Sequence, residues 1–337
     1  MPCLPVDNGN RAGRRKNRKD REEDKGFMVL DILKLILPIT AMLLVGIGAR
    51  KWNRFGPEGA KAFRTVVGNV MLPAVLFDAF LFTDYSTDIL VTGFTVFFWM
   101  VLALAIGYGM RRLMPDHARF LPFLITADEV GMLGYSLIGL LSGSVGVAAM
   151  AKCDIGHTFF VFAIAVPMLQ AMSGEKASVK SVANSLIHSR PLLAMGAGII
   201  LGLLGVGKWI DAGQMSGIYH AVIDMISGPT TALILISLGY ELSFRKELLK
   251  PVMKACLLRL AVMAVVGALC AFIIFRFVAY DKMLMTVLLL LITLPPSYAV
   301  TIFGDLGDEM EFISTTISFS TLLSLIMYIG IIVFALM

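Results

Sequence analysis

A chain of 337 residues that is 58% hydrophobic and only 16% charged, with a mean hydropathy of +0.82, is not a soluble domain, where about a quarter of residues carry charge. Its net charge of +5 does not call for a nucleic-acid partner, because membrane proteins collect basic residues in their inner loops. The four cysteines, Cys3, Cys153, Cys256 and Cys270, show no CxxC spacing and three lie in apolar runs, which suits small buried side chains and argues against a metal site or a disulfide framework.

Residues 1–27 carry eight basic and five acidic residues and no apolar core. They read as a basic disordered tail, or as untranslated sequence ahead of a start at Met28, and not as a cleavable signal peptide. Ten apolar runs of 17 to 27 residues follow, at 30–49, 65–83, 89–110, 118–141, 144–170, 191–207, 215–240, 252–278, 283–303 and 312–336. Each is long enough for a bilayer core of roughly 30 Å, and backbone groups in lipid must be satisfied internally, so each is predicted to be a helix. The fourth, seventh and ninth runs are interrupted by Asp128-Glu129, Gly228-Pro229 and Pro295-Pro296.

The polar stretch 171–190 divides the runs into two sets of five, 30–170 and 191–337. An odd number per half inverts the second half relative to the first. The expectation is an all-α membrane protein of about ten spans in two inverted five-helix repeats, joined by a cytoplasmic linker. Loops assigned to the inside hold fifteen basic residues, from Arg50 to Lys254; the outside loops hold only Lys208, Arg276 and Lys282. That asymmetry fits the positive-inside rule, although the charge of the tail opposes it.

Carboxylates facing lipid at mid-membrane cost ~2.5–3.5 kcal/mol each or more, so Asp128 and Glu129 should face protein or water. In a regular helix adjacent residues diverge by about 100°; both acids share one cavity only if the helix opens. Gly131 and Gly134 permit such opening. Two neighbouring carboxylates suit a proton or a sodium ion. The alternative is that one faces the cavity while the other pairs with a neighbouring helix. Pro295 and Pro296 remove two donors and clash with the preceding turn, so the ninth span kinks or breaks there.

Asp154 and His157, three apart, share a helix face. The pair lacks the further ligands of a metal site. Asp154 serves either a functional site or an ion pair with Arg259 of the eighth run. Thr321 and Ser324 either line a substrate path or bond to their own helix backbone. Asp78 is placed near the outer end of the second span, His220 and Asp224 on a surface turn, and Trp52 and Trp209 as interfacial anchors.

The order of several local patterns resembles the auxin efflux carrier family, within the bile-acid/sodium symporter-like superfamily. Residues 129–136, EVGMLGYS, are similar to the fourth-span motif Asn-x-Gly-x-x-Gly-x-Pro, with Glu129 in place of asparagine and Ser136 in place of proline. Residues 294–299, LPPSYA, resemble the proline break of the ninth span, and residues 320–324, STLLS, the hydroxyl stretch of the tenth. Ser189-Arg190-Pro191, and Pro229 with Leu238-Gly239, are similar too, so the resemblance spans about 30–337. It implies that helices four and nine are broken where they cross, and that the substrate is a small organic anion, auxin or a carboxylate such as malate.

The function expected is therefore secondary transport of a small organic anion across the bacterial cytoplasmic membrane by alternating access. The coupling ion would be a proton or sodium, with no other cofactor, no enzymatic activity, and a homodimer among the arrangements open to it. Broken helices suit the task, because half-helix N-termini attract an anion while unwound carbonyls hold a cation. Asp128, Glu129, Gly131, Gly134, Asp154, Pro295, Pro296, Thr321 and Ser324 form the candidate site. The competing reading is an intramembrane aspartyl protease, since two acids on separate spans can activate water. Against it, no Gly-x-Gly-Asp is present; residues 304–308, GDLGD, are spaced differently and end a span.

Overall fold

A computed structural model describes residues 30, 33–83, 85, 87–172, 189–242 and 245–336. The tail 1–27 and most of the linker 171–190 lie outside the described residues. Among the described residues the chain is all-helical, with no strand. The helices are α1 (Leu33–Lys51), α2 (Pro57–Leu81), α3 (Thr87–Leu113), α4 (Leu121–Thr126), α5 (Val130–Met172), α6 (Arg190–Leu203), α7 (Val206–Ala212), α8 (Ser216–Glu241), α9 (Lys246–Phe277), α10 (Lys282–Thr293), α11 (Ala299–Phe303) and α12 (Gly307–Leu336). Seven are long and apolar enough to cross a membrane, and the bent pair α6–α7 makes an eighth if it is one span. The protein is an integral membrane protein.

Glycine decides where the long apolar stretches turn. The 43 residues of α5 would extend ~65 Å as one rod, about twice a bilayer core. Gly143 interrupts them at φ 55°, ψ −143°, a region open to glycine and closed to most side chains. The boundary expected between the fourth and fifth runs, at 141–144, falls on this residue. A second turn was not expected: α6 and α7 bend by 71° where Gly205 takes φ 77°, so the sixth run is not one straight helix. The interruption expected at Gly228-Pro229 is corrected in the other direction. Pro229 adopts φ −73°, which a helix tolerates, its carbonyl still accepts from Leu233 N–H at 3.0 Å, and α8 continues as one span.

The second half of α2 packs on α6, α3 packs on α5 and α9, and α10 packs on α5 and α12. A Cβ on Gly156 would overlap the Gly93 carbonyl oxygen, so α3 and α5 approach as closely as backbones allow, as small residues permit in membrane helices. Phe94 and Phe98 on α3 and Val265 and Phe272 on α9 are exposed and offer an apolar face to lipid. Short α4 lies at the other extreme, with every residue from Leu121 to Thr126 buried and α9 packed along it. The centre of the molecule is thus held by two helices, α4 and α10, that end in mid-protein.

Candidate functional site

Both helices end by unwinding. After Thr126 the backbone of Ala127 is extended (φ −67°, ψ 132°), and Glu129 then caps the π-helical turn Val130–Gly134 that opens α5. After Thr293, Leu294 is extended (φ −57°, ψ 146°), and Pro295 and Pro296 carry no N–H with which to continue the helix. The two unwound stretches pair with each other. Asp128 and Pro296 form an isolated antiparallel bridge; Glu129 N–H donates to the Pro295 carbonyl at 3.0 Å and Ser297 N–H to the Ala127 carbonyl at 2.9 Å. Backbone groups stripped of helical partners in the protein interior thereby satisfy one another.

Four half-helix ends meet at this crossing. At the carboxyl ends of α4 and α10 lies Arg259 of α9, only 4% exposed. Its Nη1 donates to the Leu124 carbonyl at 2.9 Å, its Nη2 to the Leu294 carbonyl at 2.9 Å, and its Nη2 also pairs with Asp128 Oδ1. A guanidinium is the right group for this position. It offers five rigid donors, and the negative ends of two helix dipoles face it.

At the amino ends of α5 and α11 lies Glu129. One carboxylate oxygen accepts from Tyr298 N–H at 2.9 Å and from the Ser297 hydroxyl at 3.4 Å; the other accepts from Met132 N–H at 3.4 Å. Gly134 allows the crossing to be this close, since a Cβ there would meet Leu294 Cδ1 at 3.1 Å.

A second polar group adjoins the crossing. His157 Nε2 accepts from Asp128 N–H at 3.3 Å. In that tautomer Nδ1 carries the proton and donates to Asp154 Oδ1, also at 3.3 Å. Asp154 takes two further donors, the Thr158 hydroxyl at 2.8 Å on Oδ1 and the Tyr135 hydroxyl at 3.1 Å on Oδ2. Asp128, Glu129, Asp154 and His157 all border one cavity of about 480 Å³, which Lys61 and Arg64 of α2 border as well. Arg64 is shared with Glu241 at 2.7 Å.

Several sequence expectations are resolved by this geometry. Asp128 and Glu129 do not act as a matched pair: the first is tied to Arg259, leaving Oδ2 buried without a partner, while the second caps the half-helices. The Asp154–Arg259 ion pair considered from sequence does not form; Arg259 belongs to Asp128. Asp128 and Asp154 are each occupied by other side chains, and nothing here favours a protease. Gly131 borders the cavity, where a Cβ would lie 3.3 Å from Leu72 Cδ2. Thr321 donates to its own helix at the Ile317 carbonyl, 2.8 Å away, and meets the Tyr298 phenol. The Ser324 hydroxyl is buried without a partner. His220 is helical and pairs with Asp211 at 3.0 Å, so a surface turn is the wrong description of it.

Sequence reasoning gave Arg259 a buried acid as partner, as a lone arginine inside an apolar run requires, but chose Asp154 where the structure has Asp128. It also counted Lys61 and Arg64 only as loop charges and passed over Ser297 and Tyr298. The signal for those two was their position just after Pro295-Pro296, where a half-helix must begin.

Two broken helices that pair in the interior of an integral membrane protein, beside a charged cavity, are an architecture that secondary transporters use. The family model described as "Membrane transport protein" matches residues 31–195. An "Uncharacterized transporter" of Methanothermobacter thermautotrophicus is 25% identical over 300 residues, covering 86% of this chain and 94% of that protein. The two matches agree: the chain is similar to membrane transport proteins, through the family model over 31–195 and through the transporter over most of its length.

Proposed function

We propose that the chain is a secondary carrier of a small organic anion, a carboxylate, which it moves across a bacterial cytoplasmic membrane by alternating access. In this reading the helices form ten spans in two inverted five-helix repeats, with α4 leading into α5 and α10 into α11 as the broken fourth and ninth spans. The observation that carries it is the crossing itself: paired breaks bordering a cavity of about 480 Å³ that also presents Lys61 and Arg64. The two cations can take a carboxylate by charge-assisted hydrogen bonds. Glu129 then serves as the coupling group, taking a proton or a sodium ion, because it borders the cavity and, among the described residues, forms no ion pair of the kind Arg259 forms with Asp128. Substrate and coupling ion meet in one cavity.

A screen of dicarboxylates and aromatic acids by thermal stabilisation of the purified protein tests the substrate class, since a ligand that binds only the folded state raises its stability. Compounds that stabilise should then be taken up by proteoliposomes. Stabilisation only by cationic or neutral solutes would sink the anion reading. Reporter fusions test the span arrangement: Arg111 should report cytoplasmic and Lys208 external.

A further inference from the structure

A second cavity, of about 320 Å³, lies against the far halves of the same helices and is bordered by Asp78, Ser136, Ser144, Asp224 and Thr230. Helix α2 serves both cavities in sequence order. Lys61, Thr65 and on to Leu76 border the first, and Leu72 to Phe82 the second, with an overlap of about one turn at Leu72 to Leu76. Lys61 and Asp78 are seventeen residues apart on this helix, which is ~26 Å, close to the thickness of a bilayer core. Helix α5 starts at the first cavity with Gly131 and Met132, borders the second over residues 135–148, and returns to the first from Asp154 to Phe162. The turn at Gly143 carries the chain out to the second cavity and back.

What separates the cavities is thin. Leu72 borders both. Tyr135 borders the second, and its hydroxyl crosses to Asp154 of the first. Like the first cavity with Asp128 Oδ2, the second holds an orphan: the Thr230 hydroxyl is buried there without a hydrogen-bond partner. A polar group left unsatisfied inside a membrane protein costs free energy unless something visits it.

We propose that the second cavity is the opposite mouth of the same path, and that the Tyr135–Asp154 hydrogen bond and the Leu72 side chain form the barrier between the mouths. The inference rests on the carrier reading. Serine and threonine hydroxyls in the second mouth can donate to a carboxylate in passage, while Asp78 and Asp224 disfavour an anion that stays. Tyr135 is here a positioning residue: its ring closes the second mouth only while its hydroxyl is held by Asp154.

The test uses the full chain with Cys3, Cys153, Cys256 and Cys270 changed to alanine, and Thr65→Cys or Ser144→Cys added singly. A membrane-impermeant thiol reagent is applied from each face of oriented proteoliposomes. The expected result is labelling of each position from one face only, and from opposite faces. Adding Tyr135→Phe should let the Thr65→Cys protein be labelled from the Ser144 face, faster by on the order of tenfold, the size of effect one lost hydrogen bond produces. Leu72→Ala is the second opening variant, should Tyr135→Phe not fold. Labelling of both positions from the same face would overturn the proposal, as would folded variants of both kinds with unchanged labelling. Opposite-face labelling in a protein that takes up no carboxylate would sink the carrier reading and leave the two mouths standing.

Discussion

The two sides of one crossing solve the same electrostatic problem in opposite ways. Where α4 and α10 end, two sets of carbonyls need a cation, and α9 delivers one permanently as Arg259. Where α5 and α11 begin, two sets of N–H groups need an anion, and the chain supplies Glu129 from within the break itself. Arg259 is enclosed and paired with a fixed counter-charge, so that side is a lock. Glu129 borders the cavity and is held only by amides and a hydroxyl, so its partners can be joined or replaced by an ion or substrate. A symmetric set of helix ends therefore yields one structural side and one chemically available side.

The largest effect should come from breaking the lock. Arg259→Met leaves the Asp128 carboxylate and the carbonyls of Leu124 and Leu294 buried without their donor, a loss of about 3–5 kcal/mol. It should appear as a large drop in melting temperature in detergent, with Asp128→Asn in the same chain recovering part of it. A melting temperature equal to that of the parent would show that the crossing does not depend on the guanidinium.

Asp154→Asn should come next. An amide can accept on its one oxygen only, so of the donors Tyr135, Thr158 and His157 at least one is left without an acceptor, at a cost of about 1–3 kcal/mol. If stability is unchanged while the pH or sodium dependence of uptake flattens, Asp154 belongs to coupling and not to architecture.

Glu129→Gln sharpens the contrast with Arg259. The amide keeps the shape and an oxygen for Tyr298 N–H, so stability should move by no more than ~1 kcal/mol, yet uptake should lose its dependence on pH or sodium. Unchanged dependence in the variant would remove Glu129 from the coupling role.

The smallest effect is expected at Thr321. Its hydroxyl bonds mainly to its own helix, and Thr321→Val should change stability and the apparent KM only slightly. A many-fold rise in KM would return Thr321 to the substrate path.

Membrane residence, helical class and the two broken helices were legible in the sequence, because each follows from a local rule. Apolar runs long enough to cross a bilayer must be helices, and adjacent prolines cannot continue one. The turn at Gly143 was legible as a gap between two runs. The α6–α7 bend at Gly205 was not, since one glycine in an apolar run looks like any other until its φ is known. Asp128 and Glu129 could be named as buried acids, but their neighbours in sequence could not tell which would be neutralised. That depended on Arg259, 131 residues away.

Sequence alone therefore determined that this chain lives in a membrane, that its helices open at Asp128-Glu129 and Pro295-Pro296, and which charges must find company there. Tertiary structure decided the company. Arg259 went to Asp128 and not to Asp154, Glu129 went to the backbone of Tyr298 and Met132 and to the Ser297 hydroxyl, and Lys61 and Arg64 came to border the same cavity. The physical reason is range. Helix formation and helix breaking are set within a few residues by backbone hydrogen bonding, whereas a buried charge is satisfied by whatever donor or acceptor the packing of distant helices brings within about 3 Å.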